Sequence, residues 1–185
     1  MRRILLIAHR VPVSGAFTLS NDLRRDTEMT ILFVAEPPPR ARRIRLVGER
    51  LRFLNPDERS TAALLKNALV RAIPAERETQ SSPGLFVGPV DPEAELRAFA
   101  AQPGTVWLTE SGAPLRASGL PGSEHAAILS DPYDPTPAEA TLLGGLGLPR
   151  LSLGPRSLRS SQCIDVWQNE LDLRAAAEAA RESSG

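Results

Sequence analysis

The sequence predicts an α/β domain with a mainly parallel sheet and helices on both faces. Several short apolar runs are continuous rather than alternating, which is typical of strands buried on both sides. These runs alternate along the chain with segments that carry helix-start signals, the pattern of strand–helix–strand units. The 185 residues are 42% hydrophobic and show no linker or repeat, so we expect residues 1–185 to form a single domain.

The first part of the chain predicts three strands. Residues 4–8 and 29–35 are unbroken apolar runs, and a run of three prolines ends the second. Residues 15–26, between them, predict a short turn or helical piece. Residues 44–47 alternate in part within an arginine-rich stretch, which predicts an edge strand or ribbon.

Helices and strands then alternate to the end of the chain. A strong helix-start signal lies at Asn55, Pro56 and Glu58. The Asn side chain can accept hydrogen bonds from the free amides of the first turn, Pro suits the first helical position, and the Glu side chain can bond back to the backbone at the cap. Asp91 and Thr136, each followed by proline, predict two further helix starts. Further strands are predicted at 85–87, 105–108, 126–129 and 151–153, and a final helix at Ile164, Trp167 and Leu171.

Three predicted strands end in small and polar residues, at 108–112, 129–131 and 151–154. Ligands collect beyond the carboxyl ends of strands in open α/β sheets. Each segment alone is typical of an ordinary strand-to-helix turn. Together they predict a ligand site at one edge of the sheet.

The zero net charge hides an asymmetry between the two parts of the chain. Residues 1–59 hold 12 arginines against seven acidic residues, and the rest of the chain has the opposite excess. Because a guanidinium group can donate two hydrogen bonds to one phosphate, the arginine clusters are suited to contact an RNA backbone. Any one cluster is explained equally well by a genomic bias toward arginine codons together with the placement of arginines on solvent-exposed faces.

Composition and short motifs also exclude several kinds of site and cellular location. A single cysteine, Cys163, excludes an internal disulfide and agrees with a reducing compartment. The apolar run after Arg2 and Arg3 is too short for a secretory signal, and no run reaches membrane-spanning length. Two histidines with one cysteine predict no metal site, and no dinucleotide or P-loop motif is present. We therefore expect a cytoplasmic protein without metal.

Several motifs, in order along most of the chain, carry a family resemblance. They are Arg24-Arg25-Asp26, the stretch N-P-D-E-R-S from Asn55, L-T-E-S-G from Leu108, Ser130-Asp131, and S-L-G-P from Ser152 followed by C-I and N-E-L-D. The chain resembles the archaeal-type tRNA pseudouridine-54 N1-methyltransferases of the SPOUT superfamily. The resemblance implies a C-terminal trefoil knot, a homodimer, S-adenosyl-L-methionine (SAM) as cofactor and tRNA as substrate.

The resemblance also implies roles for individual residues. The cofactor-binding set would be Leu108, Glu110, Gly112, Ser130, Leu151, Leu153, Gly154, Cys163 and Ile164. Asp57 would orient or accept the N1 proton of pseudouridine, with Arg59 pairing with it or holding a phosphate. Asp57 in a first helical turn is equally typical of a plain cap. Arg24, Arg25, Arg43 and Arg52 would contact RNA.

The sequence departs from the family mainly in the segments that the resemblance assigns to substrate, and less in those it assigns to cofactor. The segment after Arg10 is shorter than in the family, and Gln162, Gln168 and Pro132 replace residues of its motifs. Cys163 has no neighbouring histidine or lysine to lower its pKa, so we interpret it as lining the cofactor pocket. Two alternatives therefore remain open. One is a SPOUT protein that binds RNA or SAM without catalysis, and the other is a methyltransferase of another RNA site or of a free C-nucleoside.

Overall fold

The computed structural model describes residues 1–8, 23–34, 41–52, 54, 58–72, 77–120, 124–131 and 134–183. Their strands are β1 (Arg2–Ala8), β2 (Thr27–Phe33), β3 (Arg42–Val47), β4 (Thr79–Ser82), β5 (Leu85–Pro89), β6 (Thr105–Pro114), β7 (His125–Ser130) and β8 (Arg150–Ser152). Their α-helices are α1 (Glu58–Ala72), α2 (Pro92–Ala100), α3 (Pro137–Gly145) and α4 (Ser160–Glu182). The predicted strands and helices are present, whereas β4 was not predicted.

The strands form one mixed sheet in the order β4-β5-β3-β2-β1-β7-β6-β8. Neighbours from β2 to β8 are parallel, as predicted, but β3, β5 and β4 pair antiparallel. The prediction of a mainly parallel sheet therefore holds for one part only. A turn at Pro83-Gly84, with a left-handed φ of 77° at Gly84, joins β4 and β5 as a hairpin. Because β5 pairs with β3, β3 lies inside the sheet and the prediction of an edge strand was wrong.

Two apolar clusters cover the two faces of the sheet, which confirms helices on both sides. Ile4, Leu6 and Ile31 face the cluster that α1 and α4 complete, with Trp167 of α4 fully buried in it. Leu5, Ile7 and Leu32 face the other cluster, which α2 and α3 complete. Successive residues of a strand point to opposite faces, so a run such as residues 4–7 serves both clusters and reads as continuously apolar.

Local signals place the helix ends. The Asp91 carboxylate accepts hydrogen bonds from the amides of Glu93 and Ala94 at the start of α2. Thr136 and Glu139 form a reciprocal capping box at the start of α3. The cap predicted before α1, at Asn55 and Pro56, and most of the segment 15–26 lie outside the described residues.

Ion pairs and hydrogen bonds fix α4 across the sheet. The Asp172 carboxylate accepts hydrogen bonds from Arg24 at 2.7 and 3.0 Å and from Arg2 at 2.6 Å. The hydrogen bond from Arg24 lowers the pKa of Asp172, and Arg2 acts in the same direction. On its other side α4 presents Arg174, which donates to the carbonyl oxygens of Leu115 and Ser118. These contacts hold the middle of α4 on the domain, and the first turn of α4, at Ser160, borders the site described next.

Candidate functional site

A cavity of about 380 Å³ lies beyond the ends of β7 and β8 and beside the middle of β6, which continues to Pro114 where the sequence predicted an end near residue 108. Residues 107–111 come from β6, residues 129–131 from the end of β7, and residues 152–154 from the end of β8. The three strands are neighbours and parallel, so the stretch that follows Trp107 in β6 lies beside the carboxyl ends of β7 and β8. The three segments that the sequence singled out therefore converge on one cavity.

A bulge in β6 forms one wall of the cavity. Leu151 of β8 pairs with both Leu108 and Ala113 of β6, so residues 109–112 loop out of the pairing. Gly112 lies at the point where the chain returns to β8. A Cβ added there would lie 2.5 Å from the backbone of Leu151. Glycine is therefore required for this close approach, and the bulge places Thr109, Glu110 and Ser111 against the cavity.

Hydrogen bonds hold the other two walls. The amide of Asp131 donates to the carbonyl oxygen of Ile7 at 2.9 Å, which extends the β7–β1 pairing by one residue. The Ser160 hydroxyl, at the start of α4, donates to the carbonyl oxygen of Ser130 at 2.9 Å. The Ser152 hydroxyl donates to the carbonyl oxygen of Gly154 at 3.0 Å and closes the turn after β8. The end of β7 is thus tied to β1 and α4, and the turn after β8 is closed by its own hydrogen bond.

The nine residues predicted to bind cofactor divide into two groups. Leu108, Glu110, Ser130, Leu153, Gly154 and Cys163 line the cavity. Gly112, Leu151 and Ile164 lie behind it, because Gly112 packs on β8 while Leu151 and Ile164 belong to the apolar core. Their binding roles stay predictions, and the second group supports the wall rather than forming its surface.

Sequence reasoning missed much of the lining. The additional residues are Trp107, Thr109, Ser111, Leu129, Asp131, Asp134, Pro135, Ser152, Arg156, Ser157, Leu158 and Ser160. Six of the twelve are direct neighbours of predicted residues, and five of these six lie within the segments 108–112, 129–131 and 151–154 that the sequence singled out. The lining residues at 134–135 and 156–158 could not be predicted in this way, because their sequence indicates only a polar loop.

Acidic groups outnumber basic ones at the cavity. Among the described lining residues, Glu110, Asp131 and Asp134 contribute three carboxylates and Arg156 contributes one guanidinium. Asp131 is buried. An excess of carboxylates in a partly enclosed site favours a ligand that carries positive charge.

Cys163 does not have the properties of a nucleophile. Burial raises the pKa of its thiol, and the nearby Glu110 carboxylate raises it further. The sulfur lies 3.7 Å from the carbonyl oxygen of Leu158, to which the thiol donates. The residue is therefore a neutral thiol at neutral pH and forms part of the wall.

The predicted catalytic pair cannot be placed against the cavity. Asp57 lies outside the described residues, and Arg59 lies in the first turn of α1, where the structure describes only its backbone. Their roles stay predictions. Within the described ranges no group of three metal-ligating side chains occurs.

The four arginines predicted to contact RNA have different surroundings. Arg24 is ion-paired with Asp172, and Arg43 with Glu78 and Glu95. Arg25 donates to the carbonyl oxygen of Leu51 at 2.6 Å and, together with exposed Arg52, lines a second cavity. Their contacts with RNA stay predictions.

Comparison with known proteins finds a family profile over residues 3–176, described as "Putative SAM-dependent RNA methyltransferase". A relative from Methanocella arvoryzae is 37% identical over 166 residues, covering 88% of this chain and 82% of that protein. A relative from Methanosarcina acetivorans is 34% identical over 202 residues, covering 96% and 93%. Both are named tRNA (pseudouridine(54)-N(1))-methyltransferase.

Among solved structures, Nep1 of Archaeoglobus fulgidus, crystallised with S-adenosylhomocysteine, matches with a TM-score of 0.62 and 17% identity. The match covers 88% of this chain and 69% of Nep1. At that identity the likeness concerns the fold alone. No helix in the described part of the chain has the length and apolar character needed to cross a bilayer.

Proposed function

Since the chain belongs to this family of SAM-dependent RNA methyltransferases, we propose that it transfers a methyl group from SAM to N1 of pseudouridine in tRNA. Position 54 is the target for which its relatives are named. The observation that carries the proposal is the convergence of the bulge in β6 and the ends of β7 and β8 on one cavity, whose described lining has an excess of carboxylates. This position at the edge of a parallel sheet is where α/β proteins bind nucleotide-like ligands.

The residues present fit the cofactor. The cavity volume of about 380 Å³ falls in the range of small-molecule sites, about 300–1,000 Å³. SAM carries a positively charged sulfonium and an ammonium group, and Glu110, Asp131 and Asp134 offer the matching charge. We propose that Leu108, Ser130, Leu153, Gly154 and Cys163 surround it and that Gly112, Leu151 and Ile164 support them. When bound, SAM supplies a methyl group already activated on its sulfonium.

The residues of the chain would then position the acceptor base and assist the removal of one proton from it. Pseudouridine carries a proton on N1, which must leave as the methyl group arrives. We propose that the Asp57 carboxylate orients or accepts that proton and that Arg59 pairs with Asp57 or holds a phosphate. The neutral thiol of Cys163 argues against a covalent intermediate on sulfur.

We also propose the finer architecture: one domain over residues 1–185, as length and composition predict, with the C-terminal trefoil knot and the homodimer that the resemblance implies. The proposal of the knot rests on the family to which the chain belongs. A cytoplasmic location follows from the proposed tRNA substrate.

The test uses labelled SAM and bulk tRNA prepared with and without prior pseudouridylation. We expect methyl transfer only to pseudouridylated tRNA, with the product identified by nucleoside mass spectrometry as N1-methylpseudouridine. Transfer that ignores pseudouridine would contradict the proposed acceptor. SAM binding with no transfer to any tRNA would favour a catalytically inactive binding protein.

A further inference from the structure

Trp107 lines the first cavity, the one that the bulge in β6 borders, and an arginine stacks on its ring. The guanidinium carbon of Arg150 lies 4.7 Å from the centroid of the Trp107 ring, within the range of a cation–π contact, which extends to about 6 Å. Arg150 is not among the described residues that line the cavity. It can therefore act on a ligand there only through Trp107 or through the strand that carries it.

The register of the sheet explains this contact. Trp107 of β6 is the pairing partner of Arg150 in β8 and of Ile128 in β7, so the three side chains point to the same face of the sheet. Trp107 and Ile128 belong to the apolar cluster that α2 and α3 complete, and Trp107 is 8% exposed. Arg150 is exposed and ends this row of side chains at the edge strand. Its guanidinium group thus lies over a ring that belongs to the core.

The same guanidinium group approaches the last turn of α3. A Cβ added at Gly144 would lie 3.2 Å from Nη2 of Arg150, so the group lies close to the backbone at this end of the helix. The last turn of α3 has no basic residue of its own, and a cation near the free carbonyl groups of a helix C-terminus is favoured. Arg150 therefore links β8 to β6 and lies beside α3.

Few backbone pairs hold β8, so a contact between side chains matters there. This strand has three residues and lies at the edge of the described sheet, next to β6. Before the bulge the two strands pair at Trp107 with Arg150 and at Leu108 with Leu151, and the amide of Trp107 donates to the carbonyl oxygen of Pro149 at 2.9 Å. The stacked pair lies at this junction and adds a contact between side chains to those between backbones.

Both strands lead from this junction into the cavity wall. Trp107 and Leu108 are followed by residues 109–111 of the bulge, and Arg150 lies two residues before Ser152, where the wall from β8 begins. A shift of β8 against β6 would change the distance between two of the three segments that surround the cavity. Because a binding site that is already in its bound geometry costs less to order, such a shift would weaken binding.

We propose that Arg150 is a positioning residue of the cofactor site, which fixes β8 against β6 by stacking on the ring of Trp107, and that Trp107 borders the bound cofactor. This inference rests on the proposed function in so far as the ligand is SAM or its product. It assigns Arg150 to cofactor affinity and not to contact with RNA or to removal of the proton.

The test compares Arg150→Ala and Arg150→Lys with a matched control, Arg45→Ala. Arg45 stacks on Phe86 at the same distance, 4.7 Å, and also pairs with Glu78 and Glu28. Four strands lie between β3, which carries Arg45, and β8. The control therefore removes the same kind of contact, and further ion pairs with it, far from the cavity.

Calorimetry with S-adenosylhomocysteine, well below the Tm of each variant, measures the affinity. We expect Arg150→Ala to bind roughly three- to fivefold more weakly than the wild type. Arg150→Lys should stay within about twofold of the wild type, because an ammonium group over the ring keeps part of the attraction. Arg45→Ala should bind like the wild type even where its Tm is lower.

Tryptophan fluorescence tests the position of Trp107 independently of activity. The sequence has two tryptophans, and the other, Trp167, is fully buried in the cluster on the opposite face of the sheet. Saturating S-adenosylhomocysteine should change the emission of the wild type and leave that of Trp107→Phe nearly unchanged. A response of equal size in Trp107→Phe, or none in the wild type, would overturn the place of Trp107 beside the cofactor.

Two outcomes of the affinity comparison would overturn the role of Arg150. One is equal affinity for S-adenosylhomocysteine in Arg150→Ala and the wild type. The other is an equal loss in Arg45→Ala, because the effect would then be one of general stability. In methyl transfer, Arg150→Ala should raise the KM for SAM and leave the KM for tRNA unchanged, and the reverse would assign Arg150 to RNA instead.

Failure of this inference is distinguishable from failure of the proposed function. If the wild type binds S-adenosylhomocysteine but transfers no methyl group, the proposed function fails while the affinity comparison still decides the role of Arg150. If the wild type binds neither SAM nor S-adenosylhomocysteine, both fail.

Discussion

Replacement of Gly112 by alanine tests how the wall of the first cavity is built. An added Cβ would lie 2.5 Å from the nitrogen and the carbonyl carbon of Leu151, and 2.7 Å from the carbonyl carbon of Arg150. These are backbone atoms of a paired strand and cannot turn aside as a flexible side chain would. The bulge in β6 or the β6–β8 pairing must therefore shift, at a cost of about 2 kcal/mol.

For a chain of this size that cost corresponds to a Tm lower by roughly 4–8 °C. Thermal unfolding followed by circular dichroism measures it. Because the bulge also carries Glu110 to the cavity, we expect the same variant to bind S-adenosylhomocysteine more weakly in calorimetry.

Gly154→Ala is the matched control. It adds the same methyl group at a position where no atom lies within 4 Å of the new Cβ, so its Tm should stay close to that of the wild type. A Gly112→Ala protein that melts and binds like the wild type would refute the role of Gly112 in the close approach of β6 and β8.

Three further predictions concern the anchoring of α4, the thiol and the proposed base. Asp172→Asn should lower the free energy of unfolding by about 1–2 kcal/mol, since it weakens the pairs with Arg2 and Arg24 at a carboxylate that is 43% exposed and partly screened. The pKa of Asp172 in the folded protein lies below its unfolded value, which is about 3.9. The stability that Asp172 contributes is therefore present above about pH 3.9 and is lost as the pH falls through the folded pKa. Denaturant melts at several pH values should accordingly show that the variant loses less free energy of unfolding in acid than the wild type does. Cys163→Ala should retain methyl transfer in single-turnover assays, because a thiol with a raised pKa is part of the wall and not a nucleophile; loss of turnover with intact cofactor affinity would contradict this. Asp57→Ala should lower kcat by about 10²-fold or more while leaving SAM affinity nearly intact, and a loss of folding instead would identify Asp57 as a helix cap.

The sequence was informative where a local pattern determines structure. The run at residues 4–8 predicted β1 because a strand buried on both faces must be apolar at every position. Asp91 predicted the start of α2 because its carboxylate satisfies the free amides of the first turn. The segments 108–112, 129–131 and 151–154 predicted the cavity because they occupy neighbouring positions on parallel strands, although β6 bulges there and continues to Pro114 instead of ending.

Other features depend on contacts distant in the chain, which no local pattern reveals. The strand β4, Thr79–Ser82, is short and polar, and its strand conformation is fixed by pairing with β5 through the turn at Gly84. The bulge in β6 depends on the pairing of Leu151 with both Leu108 and Ala113, so the sequence could not show that Gly112 supports the wall rather than lining it. The ion pairs of Arg24 and Arg43 likewise arise only in the fold.

The central claim is that the bulge in β6 and the ends of β7 and β8 form one SAM site, and hydrogen–deuterium exchange tests it most directly. Amide exchange is measured by mass spectrometry with and without saturating S-adenosylhomocysteine. The account predicts slower exchange together in peptides that contain residues 108–112, 130–131 and 152–154, with the arginine-lined second cavity unchanged. Protection confined to one of these segments, or located elsewhere in the chain, would contradict it.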